Sequence, residues 1–249
     1  MQNELKVKTP HGEIPAYWAE PDAVGKYPTM VLIHEVWGLT ENIKDIARRF
    51  ANEGYIVLAP DLISHTGVTE KVDASIMAEI RNPATRDEAQ KKLREAMTPI
   101  RTPEFGAQTL DRLKSCIDTL LASENSNGQV VAVGYCFGGT YAWQLAINMP
   151  DLDAAVPYYG HAPEDESLLS KINCPVLAFY GEKDENLMKQ LPILEATMDK
   201  LKKDFTATVY QNAGHAFFND TNKAMYVKEA AEDSWLKVLQ FFQQNLKSE

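Results

Sequence analysis

The sequence predicts an α/β fold in which a mostly parallel sheet carries helices on both faces. Short apolar runs alternate with longer stretches whose apolar residues recur at helical spacing, an order typical of this fold class. The strand-like runs are continuously apolar, as at residues 130–134, which indicates burial on both faces of the sheet. With 45% apolar and 24% charged residues among 249, the composition argues against a disordered or fibrous chain. We expect one domain that spans residues 1–249.

Each predicted element has a local signal. The first two strands form a hairpin around Pro10-His11-Gly12. An apolar stripe over residues 43–50 predicts the first helix, and Gly54 is expected just after its end. The strand that follows is expected to end at Pro60. A second stripe at 110–121 predicts another helix, and a closing helix is expected near 223–246. The predicted strands are residues 4–8, 14–19, 29–34, 55–59, 130–134, 154–158, 176–180 and 207–210.

Residues 64–104 interrupt this alternation with a long stretch that is largely polar and charged. About forty residues are too many for a simple connection, so we expect one or two short helices over the strand ends. A surface excursion is the plainer interpretation. A lid is favoured, because loops at the carboxyl ends of parallel strands are where such sheets bind ligands.

Charge and cysteine content narrow the function classes. The formal net charge of −10 disfavours nucleic acid and anionic membrane surfaces as partners. No apolar run approaches the roughly 18 residues of a membrane span, and the first residues do not resemble a signal peptide. Three cysteines form neither a disulfide framework nor a zinc motif, so we expect a cytoplasmic protein with reduced thiols and without metal or cofactor. We also expect a monomer or a weak homo-oligomer.

The most informative segment runs from an apolar strand through Gly134-Tyr135-Cys136-Phe137-Gly138-Gly139 into a helical stretch. This pattern is that of the nucleophile elbow, with cysteine where serine usually stands. The glycines are required because a nucleophile in a strained turn brings neighbouring chains too close for a Cβ atom. The helix start favours a thiolate at Cys136, and the N–H of Phe137 would face a developing oxyanion. A buried structural cysteine is the alternative, which we adopt for Cys116 and Cys174.

An elbow requires an acid and then a histidine further along the chain. Asp184 follows an apolar strand within Gly181-Glu182-Lys183-Asp184, and His215 follows the last predicted strand. We therefore expect Asp184 to orient His215 as the general base. Glu182 and Glu185 remain competing candidates for the acid, and a solvated acidic loop is the plainer interpretation.

The strand that ends at His34-Glu35 is placed to supply a second oxyanion donor, from the N–H of Val36 or Trp37. Glu35 lies beside this donor, where its carboxylate could accept the thiol proton. A salt bridge or a solvated loop carboxylate is the alternative. A zinc motif of the HExxH type is excluded, because Gly38 occupies the position of the second histidine.

Taken together, these segments resemble the dienelactone hydrolase family. The resemblance extends from about Gly12 to the final helix and rests on the cysteine elbow, His34-Glu35-Val36-Trp37-Gly38, Ala59-Pro60-Asp61-Leu62, Tyr158-Tyr159-Gly160 and Gly214-His215-Ala216-Phe217. It implies an α/β-hydrolase fold with a triad of Cys136, His215 and Asp184. It also implies that Glu35 contacts the resting thiol and that Val36 and Phe137 supply the oxyanion hole.

One position departs from the family pattern. Members that cleave dienelactone carry an arginine four residues after the histidine, which helps to hold a substrate carboxylate, whereas this chain has Asn219. Arg81 and Arg86 in the excursion could replace that arginine as substrate-binding cations. We therefore predict a hydrolase with a broader substrate range than the dienelactone-specific members.

The chemistry of a cysteine nucleophile narrows the substrate class further. Thiolate leaves a tetrahedral adduct more readily than a simple alkoxide does, so the forward reaction requires a stabilised leaving group such as an enolate or a phenolate. We expect cleavage of enol lactones and aryl esters through an acyl-thioester. The candidate pocket residues are Trp37, Tyr135, Tyr141, Tyr159 and Phe217, and Trp143 is expected in the core.

Two other functions remain open for this sequence. One is a non-catalytic ligand-binding protein with the same fold, which the intact set of Cys136, Asp184 and His215 argues against. The other is a redox sensor based on Cys136, which the lack of a resolving cysteine nearby in the sequence argues against.

Overall fold

The protein is organised around one mixed sheet. The computed structural model describes residues 2–72, 76, 79 and 85–246. Its strands are β1 (Gln2–Thr9), β2 (Gly12–Ala19), β3 (Tyr27–Ile33), β4 (Ile56–Pro60), β5 (Ser126–Tyr135), β6 (Ala154–Tyr158), β7 (Val176–Gly181) and β8 (Phe205–Tyr210). They form an eight-stranded sheet in the order β1-β2-β4-β3-β5-β6-β7-β8.

Helices connect most of these strands. They are α1 (Glu41–Asn52), α2 (Val68–Lys71), α3 (Arg86–Ala96), α4 (Pro103–Leu121), α5 (Phe137–Asn148), α6 (Glu166–Leu169), α7 (Glu185–Lys200) and α8 (Lys228–Asn245), with 3₁₀ turns at Ser64–Thr66 and Thr98–Ile100. Strand β2 pairs antiparallel with β1 and β4, and the remaining pairings are parallel. The predicted fold class is thereby confirmed. No described helix combines the length and the apolar character that a membrane crossing requires.

The register of the parallel strands brings their carboxyl ends to one edge. Ile33 of β3 lies beside Gly134 of β5, and Tyr135 of β5 lies beside Tyr158 of β6. Gly181 at the end of β7 is likewise paired with the last residue of β8. The segments that follow these strands therefore leave the sheet next to one another, which is where the candidate site residues lie.

The core lies on both sides of the central strands. Every residue of β4, β6 and β7 is buried, as expected for strands covered on both faces. Helix α5 is buried along most of its length, and Trp143 within it is fully buried, which confirms its predicted core position. Strand β8 is only half-buried, because it forms an edge of the sheet.

Two segments are compared with their predictions: the closing helix and residues 64–104. The closing helix begins at Lys228, later than the predicted 223, because the preceding loop uses its backbone groups in turns. In that loop Asn222 O accepts bonds from two later N–H groups, and Val227 N donates to Phe217 O at 3.0 Å. Within residues 64–104, the described part contains α2, α3 and the two 3₁₀ turns, which is more helical segments than the one or two short helices predicted. The lid interpretation stays a prediction.

Candidate active site

The turn between β5 and α5 has the geometry that the elbow pattern predicts. Cys136 has φ 56 and ψ −109, a left-handed conformation that non-glycine residues rarely adopt. A Cβ atom on Gly134 would lie 2.0 Å from Gly138 O, and one on Gly138 would lie 2.2 Å from Ile33 O. Neither position can carry a side chain without moving the backbone, so the strained turn depends on both glycines.

Hydrogen bonds fix this turn to the neighbouring strands. Cys136 N donates to Tyr158 O at 3.0 Å, and Gly138 N donates to His34 O at 3.1 Å. The elbow is therefore held between the ends of β3 and β6. Cys136 is the N-cap residue of α5, so its half-buried thiol lies at the positive end of a twelve-residue helix.

The acid and the histidine meet through two adjacent loops. His215 Nδ1 and Asp184 Oδ2 are 2.5 Å apart. Lys183 N donates to Ala213 O at 2.9 Å, and a Cβ atom on Gly181 would lie 2.6 Å from Gly214 O, so the two loops are in close contact. Of the three acidic candidates in the segment, Asp184 is the one that contacts His215 in the described part of the chain.

The other two acidic residues of the segment point elsewhere. Glu182 is exposed and accepts a hydrogen bond from Asn212 N at 3.1 Å. Glu185 is also exposed and begins α7. Neither makes a hydrogen bond with His215 in the described part of the chain.

The Cys136 and Asp184 side chains set the charge state of His215. Burial lowers the pKa of His215, but the negative charges of Cys136 and Asp184 and their hydrogen bonds more than offset this and raise it to about 10. Since Asp184 occupies Nδ1, the imidazole presents Nε2 to the thiol. The ring of Tyr159, whose φ is 39, packs against the imidazole with centroids 5.0 Å apart. The protonated imidazole is therefore favoured in this arrangement.

Glu35 is buried beside this group, with 3% of its surface exposed. Asn219 Nδ2 donates to Glu35 Oε2 at 2.6 Å, while Oε1 makes no hydrogen bond within the described part of the chain. Burial raises the pKa of Glu35, and its interactions with Asn219, His215 and Tyr159 offset this only in part. No hydrogen bond joins Glu35 to the Cys136 thiol among the described residues, so that contact remains a prediction.

The loop after β3 is anchored by His34, whose ring is fully buried. Leu62 N donates to His34 Nε2 at 3.0 Å, so the proton lies on Nδ1, which is 2.5 Å from Glu35 O. Burial lowers the pKa of His34, in keeping with a neutral ring. His34 therefore acts as a fixed link between β3 and the segment after β4.

The two predicted oxyanion donors follow the ends of β3 and β5. Val36 N and Phe137 N have no hydrogen-bond acceptor among the residues described. Phe137 is the first residue of α5, where N–H groups have no partner within the helix. Both N–H groups are therefore free to bond a ligand, and their role as oxyanion donors stays a prediction.

The predicted pocket residues divide into two groups. Tyr135, Tyr159 and Phe217 are buried to at least 99% and form an aromatic layer beneath the site. Trp37 is partly exposed and Tyr141 is 8% exposed. Arg81 and the side chain of Arg86 lie outside the described residues.

Sequence reasoning missed two polar contacts in this region. It interpreted Asn219 only as the absence of a cation, whereas Asn219 is 7% exposed and bonded to Glu35. It also gave no partner to His65, whose Nε2 lies 3.1 Å from Nη1 of the buried Arg112. The Asn219-Asp220-Thr221 sequence is a turn signal, but it does not identify the partner of Asn219.

The sheet order, the elbow after β5 and the histidine after the last strand define an α/β-hydrolase. The chain belongs to the dienelactone hydrolase family, whose family model matches residues 14–246. It is 35% identical to a provisionally named carboxymethylenebutenolidase of Saccharolobus solfataricus, over 97% of this chain and 98% of the relative. A protein of Methylorubrum extorquens with the same provisional name is 30% identical over 97% of this chain and 80% of its own length.

A solved structure with a name from the same family is similar to this protein. The crystal structure of a provisionally named dienelactone hydrolase from Klebsiella pneumoniae has a TM-score of 0.81 with this protein, at 27% identity and with 98% of each chain covered. The family assignment identifies the protein as a hydrolase that acts on small molecules.

Proposed function

We propose that the protein is a cysteine-dependent hydrolase of carboxylic esters and lactones, with Cys136 as nucleophile, His215 as general base and acid, and Asp184 as orienting carboxylate. The observation that carries this proposal is the arrangement of the three side chains after β5, β8 and β7. Asp184 is bonded to Nδ1 of His215, and the interaction with the Cys136 side chain accounts for much of the raised pKa of the imidazole. This is the order of contacts that an activated nucleophile requires.

The first half of the reaction transfers the acyl group to sulfur. The thiol proton of Cys136 moves to His215 Nε2, and the thiolate attacks the substrate carbonyl carbon. The carbonyl oxygen becomes an oxyanion that the N–H groups of Val36 and Phe137 stabilise. The adduct then collapses, the carbon–oxygen bond to the leaving group breaks, and the imidazolium donates its proton to the departing oxygen.

The second half returns the enzyme to its starting state. His215 removes a proton from water as the water oxygen attacks the acyl-thioester carbonyl. The second adduct expels the thiolate and releases the carboxylic acid, and the imidazolium then returns its proton to the Cys136 sulfur. Asp184 stays ionised and stabilises the imidazolium in both halves.

The leaving group determines which esters react. Because thiolate is itself a good leaving group, an adduct with a simple alkyl ester returns to substrate. Enolate and phenolate leaving groups depart more readily than alkoxides, so enol lactones and aryl esters are the substrates that this site favours. The lactone product remains one molecule, because ring opening leaves the enol or ketone attached to the new carboxylate.

The test is alkylation of the thiol combined with substitution. Burial raises the pKa of Cys116 and of Cys174 to about 12, so iodoacetamide at neutral pH should modify Cys136 alone. We expect one adduct by peptide mass spectrometry and complete loss of p-nitrophenyl acetate hydrolysis. Cys136→Ala should be inactive, whereas Cys116→Ala and Cys174→Ala should retain activity. Substantial activity in Cys136→Ala would overturn the proposal.

The assignment of the acid has a matched control. Asp184→Asn should lower kcat by about two orders of magnitude or more, because the imidazole loses its orienting carboxylate. Glu182→Gln, which alters an exposed carboxylate bonded to Asn212, should leave kcat within about twofold of the unmodified enzyme. A reversed pattern would assign the acid to Glu182.

A further inference from the structure

A pocket of about 280 Å³ lies between α7 and the segment that follows β6. Its inner walls include four leucines that are at most 7% exposed, namely Leu169, Leu187, Leu191 and Leu194. At the rim Ile193 is 69% exposed, so the apolar surface continues from the pocket to the outside of the protein. A pocket with apolar walls and an apolar rim can admit a ligand from solvent.

Tyr180 brings one polar group to these apolar walls. It lies near the end of β7 and is 2% exposed. Burial raises the pKa of Tyr180, so the hydroxyl is neutral and keeps its proton. The hydroxyl adjoins the Trp143 indole, whose N–H can only donate, and the Tyr180 proton has no acceptor within the described part of the chain. That proton is therefore available to a ligand oxygen in the pocket.

The charge of the lining excludes an anionic ligand. The lining, all of it in the described part of the chain, contains the carboxylate of Glu164 and no lysine or arginine. Gln190 Nε2 donates to Glu164 Oε1 at 3.1 Å, and Gln190 Oε1 lies 3.2 Å from His161 Nδ1. A ligand carboxylate would thus lose its hydration without gaining a cation, whereas a neutral molecule avoids this penalty.

The volume of the pocket limits the size of its ligand. An apolar cavity of about 150 Å³ holds one benzene ring. Pockets for drug-sized molecules begin at about 300 Å³. A pocket of about 280 Å³ therefore suits an aromatic molecule of one or two fused rings.

We propose that this pocket binds a neutral hydroxyl-bearing aromatic molecule of one or two rings, such as a naphthol. The rings pack against the leucines of α7, and the ligand oxygen accepts a hydrogen bond from Tyr180. The pocket is separate from the candidate active site, because Cys136, Asp184 and His215 do not line it.

The pocket nevertheless adjoins two segments of the candidate active site. Gly160 lines it and follows Tyr159, whose ring packs against His215. Leu187 lines it from the first turn of α7, a helix whose N-cap residue is Asp184. A ligand in the pocket would therefore contact both segments without covering the thiol.

Equilibrium dialysis of the full chain with 2-naphthol at pH 7 tests the proposal. We expect saturable binding of one equivalent with a Kd below about 1 mM. The Kd should be the same after iodoacetamide has alkylated Cys136, because the thiol lies outside the pocket. The anion 2-naphthoate should bind at least about tenfold more weakly than 2-naphthol.

Substitutions test the placement of the ligand. Leu194→Trp fills the pocket from α7 and should weaken 2-naphthol binding about tenfold or more. Leu236→Trp on α8, where the leucine is 65% exposed, is the control and should leave binding unchanged. Tyr180→Phe keeps the ring and removes the hydroxyl, so it should weaken 2-naphthol about fivefold and leave the binding of naphthalene unchanged.

Several results would overturn the proposal. They are the absence of saturable binding up to about 1 mM, loss of binding on alkylation of Cys136, equal binding of 2-naphthoate, and unchanged binding in Tyr180→Phe or Leu194→Trp. If Leu194→Trp does not fold, Ala162→Phe fills the pocket from the opposite wall and decides. A dimer in sedimentation velocity that Ile193→Asp dissociates would assign the pocket to a second copy of the chain instead. Binding is measured without turnover, so it can fail while the proposed hydrolysis stands.

Discussion

At the scale of single residues, Glu35 is a carboxyl whose burial lowers the stability of the folded protein. It makes one hydrogen bond, with the neutral amide of Asn219, and has no ion pair with a lysine or arginine in the described part of the chain. Burial raises its pKa, which means that folding favours the protonated form. Such a group is kept at the expense of stability, which makes it a candidate for a role in the chemistry of the site.

Glu35→Gln should therefore stabilise the protein while impairing its activity. The pKa of Glu35 is raised above its ordinary 4.5, so its contribution to stability is present below pH 4.5 and is lost as the pH rises through the folded-state pKa. The amide does not titrate, so the gain in Tm over the unmodified protein should increase from about pH 4.5 upwards and then level off. Thermal unfolding from pH 4 to pH 8, followed by circular dichroism, measures this. A difference that shrinks with rising pH would contradict the assigned direction.

The sequence predicts the residues of the proposed triad because each follows a strand of its own. It prefers Asp184 but cannot show that Asp184, and not Glu182, contacts His215, since that contact depends on how two loops meet. The pair of Glu35 and Asn219 could not be found, because its members are 184 positions apart and a sidechain bond at that separation depends on loop conformation. The neutral state of His34 likewise follows from a donor after β4 that no local pattern reveals.

At the scale of elements, the elbow is a place where three strands and a helix approach one another closely. Strands β3, β5 and β6 end side by side, and α5 starts between them. The close approach of Gly138 to the Ile33 carbonyl is what allows α5 to begin directly over the sheet. The same elements were predictable because each carries its own apolar run, whereas the start of α8 was not, because turn bonds in the loop before it replace helical ones.

Gly138→Ala should disrupt this junction. The added Cβ would lie 2.2 Å from Ile33 O and 2.8 Å from His34 O, both backbone atoms, so β3 or α5 must move. We expect a loss of about 3 kcal/mol or more in the free energy of unfolding, measured by urea denaturation. Gly106→Ala in α4 is the control, because its Cβ would lie 4.0 Å from the Tyr141 hydroxyl. That variant should gain about 0.5–1 kcal/mol from helix propensity. Equal effects of the two substitutions would contradict the steric argument.

At the scale of the whole molecule, charge bears on the choice of substrate. The net charge of −10 repels anions at long range, and the Asn219 amide is already engaged by Glu35 and Thr221. A substrate carboxylate would thus enter against the field and would not find an arginine at this position.

Neutral aryl esters and lactones should accordingly be cleaved at least as well as their carboxylate analogues. Loss of a bidentate arginine contact costs about 2 kcal/mol, or roughly thirtyfold in affinity. The comparison is kcat/KM for a neutral lactone and a matched anionic one at low and high salt, and added salt should narrow the difference. A salt-sensitive preference for the anion would refute the prediction. Arg81→Ala and Arg86→Ala would then show whether an arginine of the excursion supplies the cation.

The edge position of β8 has a consequence for the order in which the enzyme folds during its synthesis. This strand pairs with β7 alone, and the loop after it carries both His215 and Asn219. A ribosome releases Cys136 and its elbow long before it releases the histidine that completes the site. The nascent chain therefore holds the proposed nucleophile without its proposed base until β8 pairs with β7 at the edge of the sheet. We therefore expect hydrolytic activity to appear only after β8 and the loop that follows it have folded.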